Sequence, residues 1–478
     1  MSGIQFSDRS RFLEYQRCPT ARYLGYAWGG TGLRRVRATI PLVTGSAVHA
    51  GLAEMLNLVL HATPDTPGAW SRIDVDQCVA MALSVYQSEL AGRGLDVELG
   101  EDAQWVTDEQ RALIEGLVRA YAIAPTGLQA LLEQYRILEV EREDVWEGFT
   151  HLGLDEKNGR VDFQARADGL LQERGSSDLY VLSFKTASSF DYRQENSNRH
   201  DVQGLSEAAV VEKRLRGDWA NRMNAAQLGP GMDGYPTLKM LCDLESEPRI
   251  MGIQMVYLIK GQRTQGEEGG RYVTQSSLIH PWRKEGITEA EYAWRYKWSG
   301  PDVWPDSGKP RGHTLGKGWT RVDIWNDVGV KAWIDMLASG TVQSDLGDPF
   351  EAIVNMPLPY FRQDRDVQDW IEQAQNQEAR VIQDHQVLEG VRVNQPELMR
   401  SVVNAVAPGY RRSCDWPSKC QFQEVCFGDS TMFTSPLSTG LYEIRRPHHG
   451  AEAAAFRAKS EVEESNHEAV EDAAAGEN

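Results

Sequence analysis

Three evenly spaced cysteines near the C-terminus constrain the fold of this chain more than any other feature of its sequence. Cys414, Cys420 and Cys426 are separated by five residues each, and a Trp-Pro pair lies between the first two. Because proline interrupts a helix, the spacing indicates a loop that can turn three sulfurs toward one point. Three thiolates leave a tetrahedral or cubane metal site one ligand short. The spacing is compatible with zinc and with an iron–sulfur cluster, and a set of core cysteines is the structural alternative.

The fourth ligand has three candidates elsewhere in the chain. Cys18 is followed by Pro19, which breaks the helix and exposes the sulfur at its end. Cys78 and Cys242 lie in apolar helical contexts, where a buried, unreactive thiol is the more common situation. The first residues lack the basic start and apolar stretch of a signal peptide, so we expect a cytoplasmic protein. In that reducing compartment, six cysteines favour metal binding or catalysis over disulfides.

The charge balance limits how the chain can contact nucleic acid. The 50 basic and 69 acidic residues give a formal charge of −19. The acidic tail at 447–478 accounts for −6 of this charge, which leaves −13 on the rest of the chain. A protein covered in positive charge is therefore excluded, and any DNA contact must be a confined basic groove. No apolar run approaches about 18 residues, so we expect no membrane partner.

The periodicity of apolar residues predicts an α/β fold. Helical spacing dominates the first ~60 residues and returns at 76–90, 108–121, 322–338 and 366–386. Alternating patterns predict strands at 136–141, 160–172, 179–185 and 250–259. The second and third of these strands flank a Gly-Ser-Ser-Asp turn and should form a β-hairpin. We therefore expect a mixed central sheet flanked by helices.

The hairpin places two chemically distinctive residues at the ends of its strands. Asp168 ends the first strand and Lys185 ends the second. A buried carboxylate beside a lysine is costly unless a cation compensates it. Carboxylates bind Mg²⁺ or Mn²⁺, and a lysine can orient or deprotonate the water that attacks a phosphate. The alternative is an ordinary solvated pair on a surface hairpin.

The order of these features resembles a known family. Tyr15-Gln-Arg-Cys18-Pro19 near the start, a helix carrying Gly45-Ser-Ala-Val-His49, the hairpin and three later cysteines are similar to the iron–sulfur branch of the RecB-like PD-(D/E)XK nucleases. That branch includes the AddB nuclease domain and CRISPR-associated exonucleases with four cysteines. The resemblance covers roughly residues 7–60, 136–260 and 400–430. It implies a PD-(D/E)XK core with an insertion lobe and a C-terminal 4Fe-4S staple, which Cys18, Cys414, Cys420 and Cys426 would hold.

The resemblance also implies a set of site residues. Mg²⁺ or Mn²⁺ would be bound by His49, Asp168 and the backbone carbonyl of Phe184, and Lys185 would be catalytic. Gln203, which resembles the family's glutamine motif, would contact DNA together with Arg166. Read without the family, His49 is a packed helix residue and Gln203 is a plain helix start.

The chain departs from the family pattern at two positions. Position 183, where the family has Asp or Glu, is Ser183, and position 207, where a tyrosine usually follows the glutamine, is Glu207. A hydroxyl is a far weaker ligand for a hard divalent cation than a carboxylate. Three explanations stay open. Glu141 or Glu139 supplies the missing oxygen, or the site works slowly with the other ligands alone, or the domain binds DNA without cutting it.

These features lead to one favoured function and two alternatives. We predict a metal-dependent DNA nuclease, an exonuclease that acts on single-stranded ends and works with a helicase or recombinase partner. The alternatives are an inactive nuclease-fold subunit of a recombination or packaging complex, and a zinc-stapled protein with no DNA role. The aromatic and cationic 286–325 segment suits single-stranded DNA or one face of a strand.

The same features divide the chain into five predicted regions. The divisions are an N-terminal helical part at 1–130, a nuclease core sheet at 131–261, an insertion and helical lobe at 262–400, a cysteine segment at 401–446 and a disordered acidic tail at 447–478.

Overall fold

A computed structural model describes most of the N-terminal half of the chain and most of its C-terminal quarter. The described residues are 3–62, 73–91, 93–95, 103–150, 158–187, 201–221, 244, 246–259, 262–265, 271–274, 354–414, 419–447, 449–454 and 456–457. The predicted helix at 322–338, the 286–325 segment and Cys242 lie outside these residues.

Eleven α-helices occur in the described part of the chain. They are α1 Arg9–Arg17, α2 Pro19–Tyr26, α3 Ile40–His61, α4 Val75–Leu90, α5 Ala103–Ile123, α6 Leu128–Gln134, α7 Val202–Ala220, α8 Asp364–Asn394, α9 Met399–Val406, α10 Gln423–Phe427 and α11 Ser430–Thr434.

The described strands form four sheets. They are β1 Gly3–Asp8, β2 Leu33–Arg35, β3 Tyr135–Val140, β4 Glu143–Thr150, β5 Asn158–Arg166, β6 Gly169–Glu173, β7 Leu179–Ala187, β8 Ile250–Ile259, β9 Gln262–Gln265, β10 Arg271–Thr274, β11 Val354–Asn355, β12 Tyr360–Phe361 and β13 Tyr442–Ile444.

The largest sheet is mixed, as predicted, and contains six strands. Its order is β11-β8-β7-β6-β3, and β12 also pairs with β8. β7 and β8 run parallel, whereas the β3–β6, β6–β7 and β8–β11 pairs are antiparallel. A second sheet of three strands has the order β1-β5-β4, in which β1 and β5 are parallel. The arrangement is mixed α/β.

The strand predicted at 160–172 is interrupted in the structure. β5 ends at Arg166 in the three-stranded sheet, and β6 begins at Gly169 in the six-stranded sheet. The apolar alternation continues across this break, so periodicity did not reveal it. At the break, the carbonyl of Asp168 accepts a hydrogen bond from the N–H of Glu141 at 3.2 Å. Asp168 therefore lies between two strands of different sheets and does not end one continuous strand.

The prediction that the first ~60 residues are helical was wrong for two short segments. Residues Gly3–Asp8 form β1 and Leu33–Arg35 form β2. Both strands pair with partners that are remote in sequence, β5 and β13, so no local pattern marks them. By contrast, β8 begins and ends where the alternation predicts, at Ile250 and Ile259.

The largest hydrophobic core lies between the helices α3, α4 and α5 and one face of the six-stranded sheet. It contains Leu52, Met55 and Leu56 of α3 together with Leu182 and Phe184 of β7. Within the described residues, α3 is the helix that is long and apolar enough to span a membrane. Its most apolar stretch of 18 residues is 56% buried inside the protein. The apolar composition of α3 is therefore explained by its position in the core.

The long helix α8 joins residues from the C-terminal quarter to both sheets and to the N-terminal helices. Trp370 of α8 packs against Phe12, Phe149 and Phe163. Glu378 of α8 forms an ion pair with Arg22 of α2 at 2.9 Å, and both side chains are buried. β11 and β12 add to the six-stranded sheet, so residues 354–394 of the predicted insertion lobe pack with the nuclease-like core.

The acidic tail begins as an ordered segment. His449 is 7% exposed, 3.7 Å from Asp8 and 3.6 Å from Glu143. Glu452 pairs with Arg11 and, at 3.3 Å, with Arg445. The sequence predicts a disordered tail or a frayed helix, and residues 450–454 are helical; residues beyond 457 lie outside the described ranges.

The close packing of α3 predicts opposite effects for two glycine substitutions. A Cβ on Gly51 would lie 2.9 Å from Ala82 Cβ and 2.9 Å from Val118 Cγ2. Overpacking of this kind costs about 1–3 kcal/mol, so we expect Gly51→Ala to lower the free energy of unfolding in urea. Gly217 of α7 has no atom within 4 Å of a built Cβ, and Gly217→Ala should raise that free energy by about 0.5–1 kcal/mol. Equal effects from the two variants would contradict the tight α3 packing.

Candidate metal centre

Asp168, at the break between β5 and β6, is the residue around which the candidate site is built. It is 8% exposed. Its Oδ2 accepts a hydrogen bond from the N–H of Phe184 at 2.6 Å, and its Oδ1 lies 3.0 Å from Nδ1 of His49. Burial acts to raise the pKa of Asp168, but the charge and hydrogen bond of His49 outweigh burial and lower it. Asp168 is therefore held as a carboxylate in a nearly buried position.

His49 reaches this carboxylate from the opposite layer, on α3. The helix approaches the end of β7 closely one turn earlier, where a Cβ on Gly45 would lie 3.3 Å from Thr186 Oγ1. His49 lies one turn after Gly45, on the same helix face. Burial acts to lower the pKa of His49, but the negative charges of Asp168 and Glu141 exceed that effect and raise it.

Glu141 joins the pair from the end of β3. Its backbone φ is +49°. Among the described residues, it is the single non-glycine residue with a positive φ. This left-handed conformation costs about 1–2 kcal/mol for a residue with a Cβ, and the hydrogen bond from its N–H to Asp168 holds it. Burial, followed by the charge of Asp168, raises the pKa of Glu141 to about 7.

The three side chains form a group that can hold a metal ion. One ligand atom each from His49, Glu141 and Asp168 lies within 4.8 Å of the other two. Two carboxyl groups and one imidazole are a donor set that suits Mg²⁺ or Mn²⁺. The raised pKa of Glu141 indicates that its negative charge lacks a sufficient counter-charge. The residues present therefore fit a divalent cation.

The structure separates the two glutamates that were open candidates for the missing ligand. Glu141 is in the group, whereas Glu139 forms ion pairs with Arg214 at 2.5 Å and Arg142 at 2.9 Å.

The predicted backbone ligand, Phe184, lies beside Asp168. In a strand, the N–H and C=O of one residue point to the same side, so the Phe184 carbonyl faces the same way as its N–H.

Lys185 lies at the end of β7, next to the predicted glutamine. Its Nζ contacts Oε1 of Gln203 and lies 3.7 Å from Oδ2 of Asp201. Asp201 is the N-cap of α7 and accepts a hydrogen bond from the N–H of Gln203. The start of α7 thus positions Gln203 against the lysine, which is 23% exposed.

Gln203 and Arg166, the residues predicted to contact DNA, line one open cleft. Its other lining residues are Asp8, Arg9, Ser10, Gln164, Ala165, Ser206, Glu207 and His449. Arg166 also forms an ion pair with Glu141 at 3.0 Å, which connects the cleft to the metal-binding group. The cleft holds two arginines in a chain that is strongly acidic.

Glu207 is the acidic residue of this region that the sequence did not assign a role. It is 6% exposed and lies on α7, one turn after Gln203. Burial, followed by the negative charge of Asp168, raises the pKa of Glu207 well above its usual range. In the sequence, Glu207 is distinguished only by its position, where the resemblance predicts a tyrosine.

The four predicted cluster cysteines belong to one hydrophobic cluster, which is separate from the core around α3. Cys18 lies between α1 and α2, in an extended conformation, and shares one hydrophobic cluster with Cys420, Cys414 and Cys426. Burial, followed by the charges of the other three cysteines, raises the pKa of Cys426 to about 12. Cys78 is fully buried in α4, in a different cluster. The four residues that the resemblance selects thus share one hydrophobic cluster, and Cys78 lies in another.

The sequence model of the PD-(D/E)XK nuclease superfamily matches residues 9–223. This segment is a little under half of the chain and includes His49, Glu141, Asp168, Lys185 and Gln203. The mixed α/β arrangement is consistent with a PD-(D/E)XK core, so the match supports the predicted superfamily over these residues. No curated protein matches the chain.

The pairing of His49 with Asp168 predicts a pH-dependent contribution to the stability of the metal-free protein. Because the folded-state pKa of His49 is raised, this contribution is complete below the unfolded histidine pKa of about 6.5 and is lost as the pH rises through the folded value. In urea unfolding without divalent ions, His49→Gln should therefore cost more free energy at pH 5.5 than at pH 8.5. A cost that is equal at both pH values would contradict the pairing.

Proposed function

We propose that this chain is a metal-dependent DNA nuclease in which His49, Glu141 and Asp168 hold the catalytic ion. The observation that carries the proposal is the grouping of these three side chains within 4.8 Å at the break between β5 and β6, with Lys185 on the neighbouring strand. The raised pKa of Glu141 beside the ionised Asp168 is the electrostatic situation that a bound cation would relieve.

Each residue of the group has a distinct role in this proposal. Asp168 is the ionised ligand, fixed by the N–H of Phe184. Glu141 and His49 each exchange a proton for the ion, because metal ligands bind in their deprotonated forms. A bound Mg²⁺ or Mn²⁺ polarises the scissile phosphate and acidifies a bound water. Lys185, held by Gln203, supplies a positive charge beside the phosphate or orients the attacking water.

The cleft beside the metal-binding group is the proposed path of the DNA strand. Arg9 and Arg166 can contact phosphates, and Ser10 and Gln203 offer hydrogen-bond donors. This confined pair of cations agrees with a net charge of −19, which disfavours binding over a broad surface. The preference for single-stranded ends, the helicase or recombinase partner and the cytoplasmic location rest on the resemblance and on the sequence.

One observation favours a second candidate, a subunit of a recombination or packaging complex that binds DNA without cutting it. Ser183 occupies the strand position where the family has a carboxylate, and its hydroxyl is fully buried. A site with fewer acidic ligands binds divalent ions more weakly. This candidate predicts DNA binding without cleavage.

A 4Fe-4S cluster held by Cys18, Cys414, Cys420 and Cys426 is the second part of the proposal. Its support is the shared hydrophobic cluster and the mutual electrostatic effect of the four thiols. Four thiolates can also hold a zinc ion, so the choice of iron over zinc rests on the resemblance.

The nuclease proposal is tested with end-labelled single-stranded DNA and Mn²⁺ or Mg²⁺. Asp168→Asn and Lys185→Met should each lower the cleavage rate by at least about 100-fold, because each removes a group that acts on the metal or the phosphate. Asp369→Asn, which removes a carboxylate that is 55% exposed on α8, is the control and should cut normally. If the unmodified protein binds the DNA and leaves it intact, the binding subunit is the correct function.

The cluster proposal is tested by metal content and colour after anaerobic purification. The protein should be brown and contain about four iron atoms per chain, and Cys426→Ser should lose both the colour and the iron. Cys78→Ser is the matched control, because Cys78 is a buried thiol outside the group. A colourless protein with one zinc ion per chain would show that the site is a zinc staple.

A further inference from the structure

Two departures from the family pattern lie on facing elements. Ser183 is on β7 and Glu207 is on α7. Residues two apart on a strand share a face, so Ser183 lies on the same face of β7 as Lys185. Residues four apart share a face of a helix, so Glu207 lies on the same face of α7 as Gln203. Because Lys185 contacts Gln203, these two faces are turned toward each other.

The apolar residues that follow along both elements support this arrangement. Val181 and Leu179 continue the Ser183 face of β7, and Val211 and Leu215 continue the Glu207 face of α7; all four belong to one buried cluster. The helix also approaches the sheet closely at its start, where a Cβ on Gly204 would lie 2.4 Å from Ile253 Cδ1. Glu207 is therefore held between the helix and the sheet.

One side-chain oxygen at each position is buried without a hydrogen-bond partner. Ser183 is 0% exposed and its Oγ has no partner, and Glu207 is 6% exposed and its Oε2 has none. An unpartnered buried oxygen is costly, and two of them on facing elements beside Asp168 are hard to explain as structural features. A cation in the metal-binding group would give the Glu207 carboxylate a counter-charge.

We propose that Glu207 on α7 supplies the acidic group of the metal centre that residue 183 on β7 lacks. In this arrangement, the carboxylate comes from the helix that covers the site and not from the strand beneath it. The small side chain of Ser183 leaves the space between the elements free for this purpose. The inference rests on the proposed function, and it answers the objection that Ser183 makes the domain inactive.

The proposal is tested by the affinity of the full-length protein for Mn²⁺, measured by calorimetry or by electron paramagnetic resonance. Glu207→Gln keeps the shape of the side chain and should weaken Mn²⁺ binding at least about tenfold. Ser183→Glu alone should not strengthen binding, because it adds a second carboxyl to an occupied space. The double variant Ser183→Glu/Glu207→Gln, which moves the carboxylate to the strand, should bind Mn²⁺ within about threefold of the unmodified protein.

Two further measurements separate the possible outcomes. Asp218→Asn removes the same charge from the exposed end of α7 and should leave Mn²⁺ binding unchanged. Without metal, Glu207→Gln should raise the urea midpoint of unfolding at neutral pH, because the native carboxyl must either be protonated or be buried as a charge and the amide need not be; a purely structural Glu207 would show a lower midpoint. Unchanged Mn²⁺ affinity in Glu207→Gln, together with lost affinity in Asp168→Asn, would overturn the role of Glu207 alone. Unchanged affinity in both variants would overturn the metal centre itself.

Discussion

The interruption of the sheet at Asp168 is the constraint on which the rest of the site depends. The backbone of Asp168 accepts a hydrogen bond from Glu141, its side chain accepts one from the N–H of Phe184, and its second oxygen meets His49. One residue thus holds together α3, β3 and β7. A carboxylate in the interior of a continuous strand would have no such set of partners, because its backbone groups would be used in the ladder. The break therefore interrupts regular strand pairing and allows groups on α3, at the end of β3 and on β7 to meet at one point.

The sequence predicted the local features of this site better than its surroundings. Asp168 and Lys185 were identified because they end the two strands of a predicted hairpin, His49 was identified from the resemblance, and β8 was identified because its ten residues are almost all apolar. The assignment of β5 and β6 to different sheets was missed, because a period of two continues through a break that only tertiary contacts create. β1 and β2 were missed for a related reason, since their partners lie more than 150 and 400 residues away along the chain.

Glu207 shows a different limit of reasoning from one sequence. The chain carries a serine where an acid is expected and an acid where a tyrosine is expected. Each change is a mismatch when the positions are compared one at a time. Their relationship depends on α7 lying over β7, which is a property of packing and not of spacing along the chain. His449 shows the same limit, because its burial beside Asp8 and Glu143 is created by contacts between segments that are remote in sequence.

The position of Cys18 between α1 and α2 has a consequence for the order of folding during synthesis. The partners of Cys18, α2 and β2 are the late cysteines, α8 and β13, all of which leave the ribosome after residue 360. The core around α3 and the six-stranded sheet can assemble earlier, because its contacts are closer in sequence. The N-terminal helices must therefore wait without their final partners while several hundred residues are made. Their packing against the C-terminal segment must follow the synthesis of that segment, and a truncated nascent chain would leave the hydrophobic cluster around Cys18 without its partners.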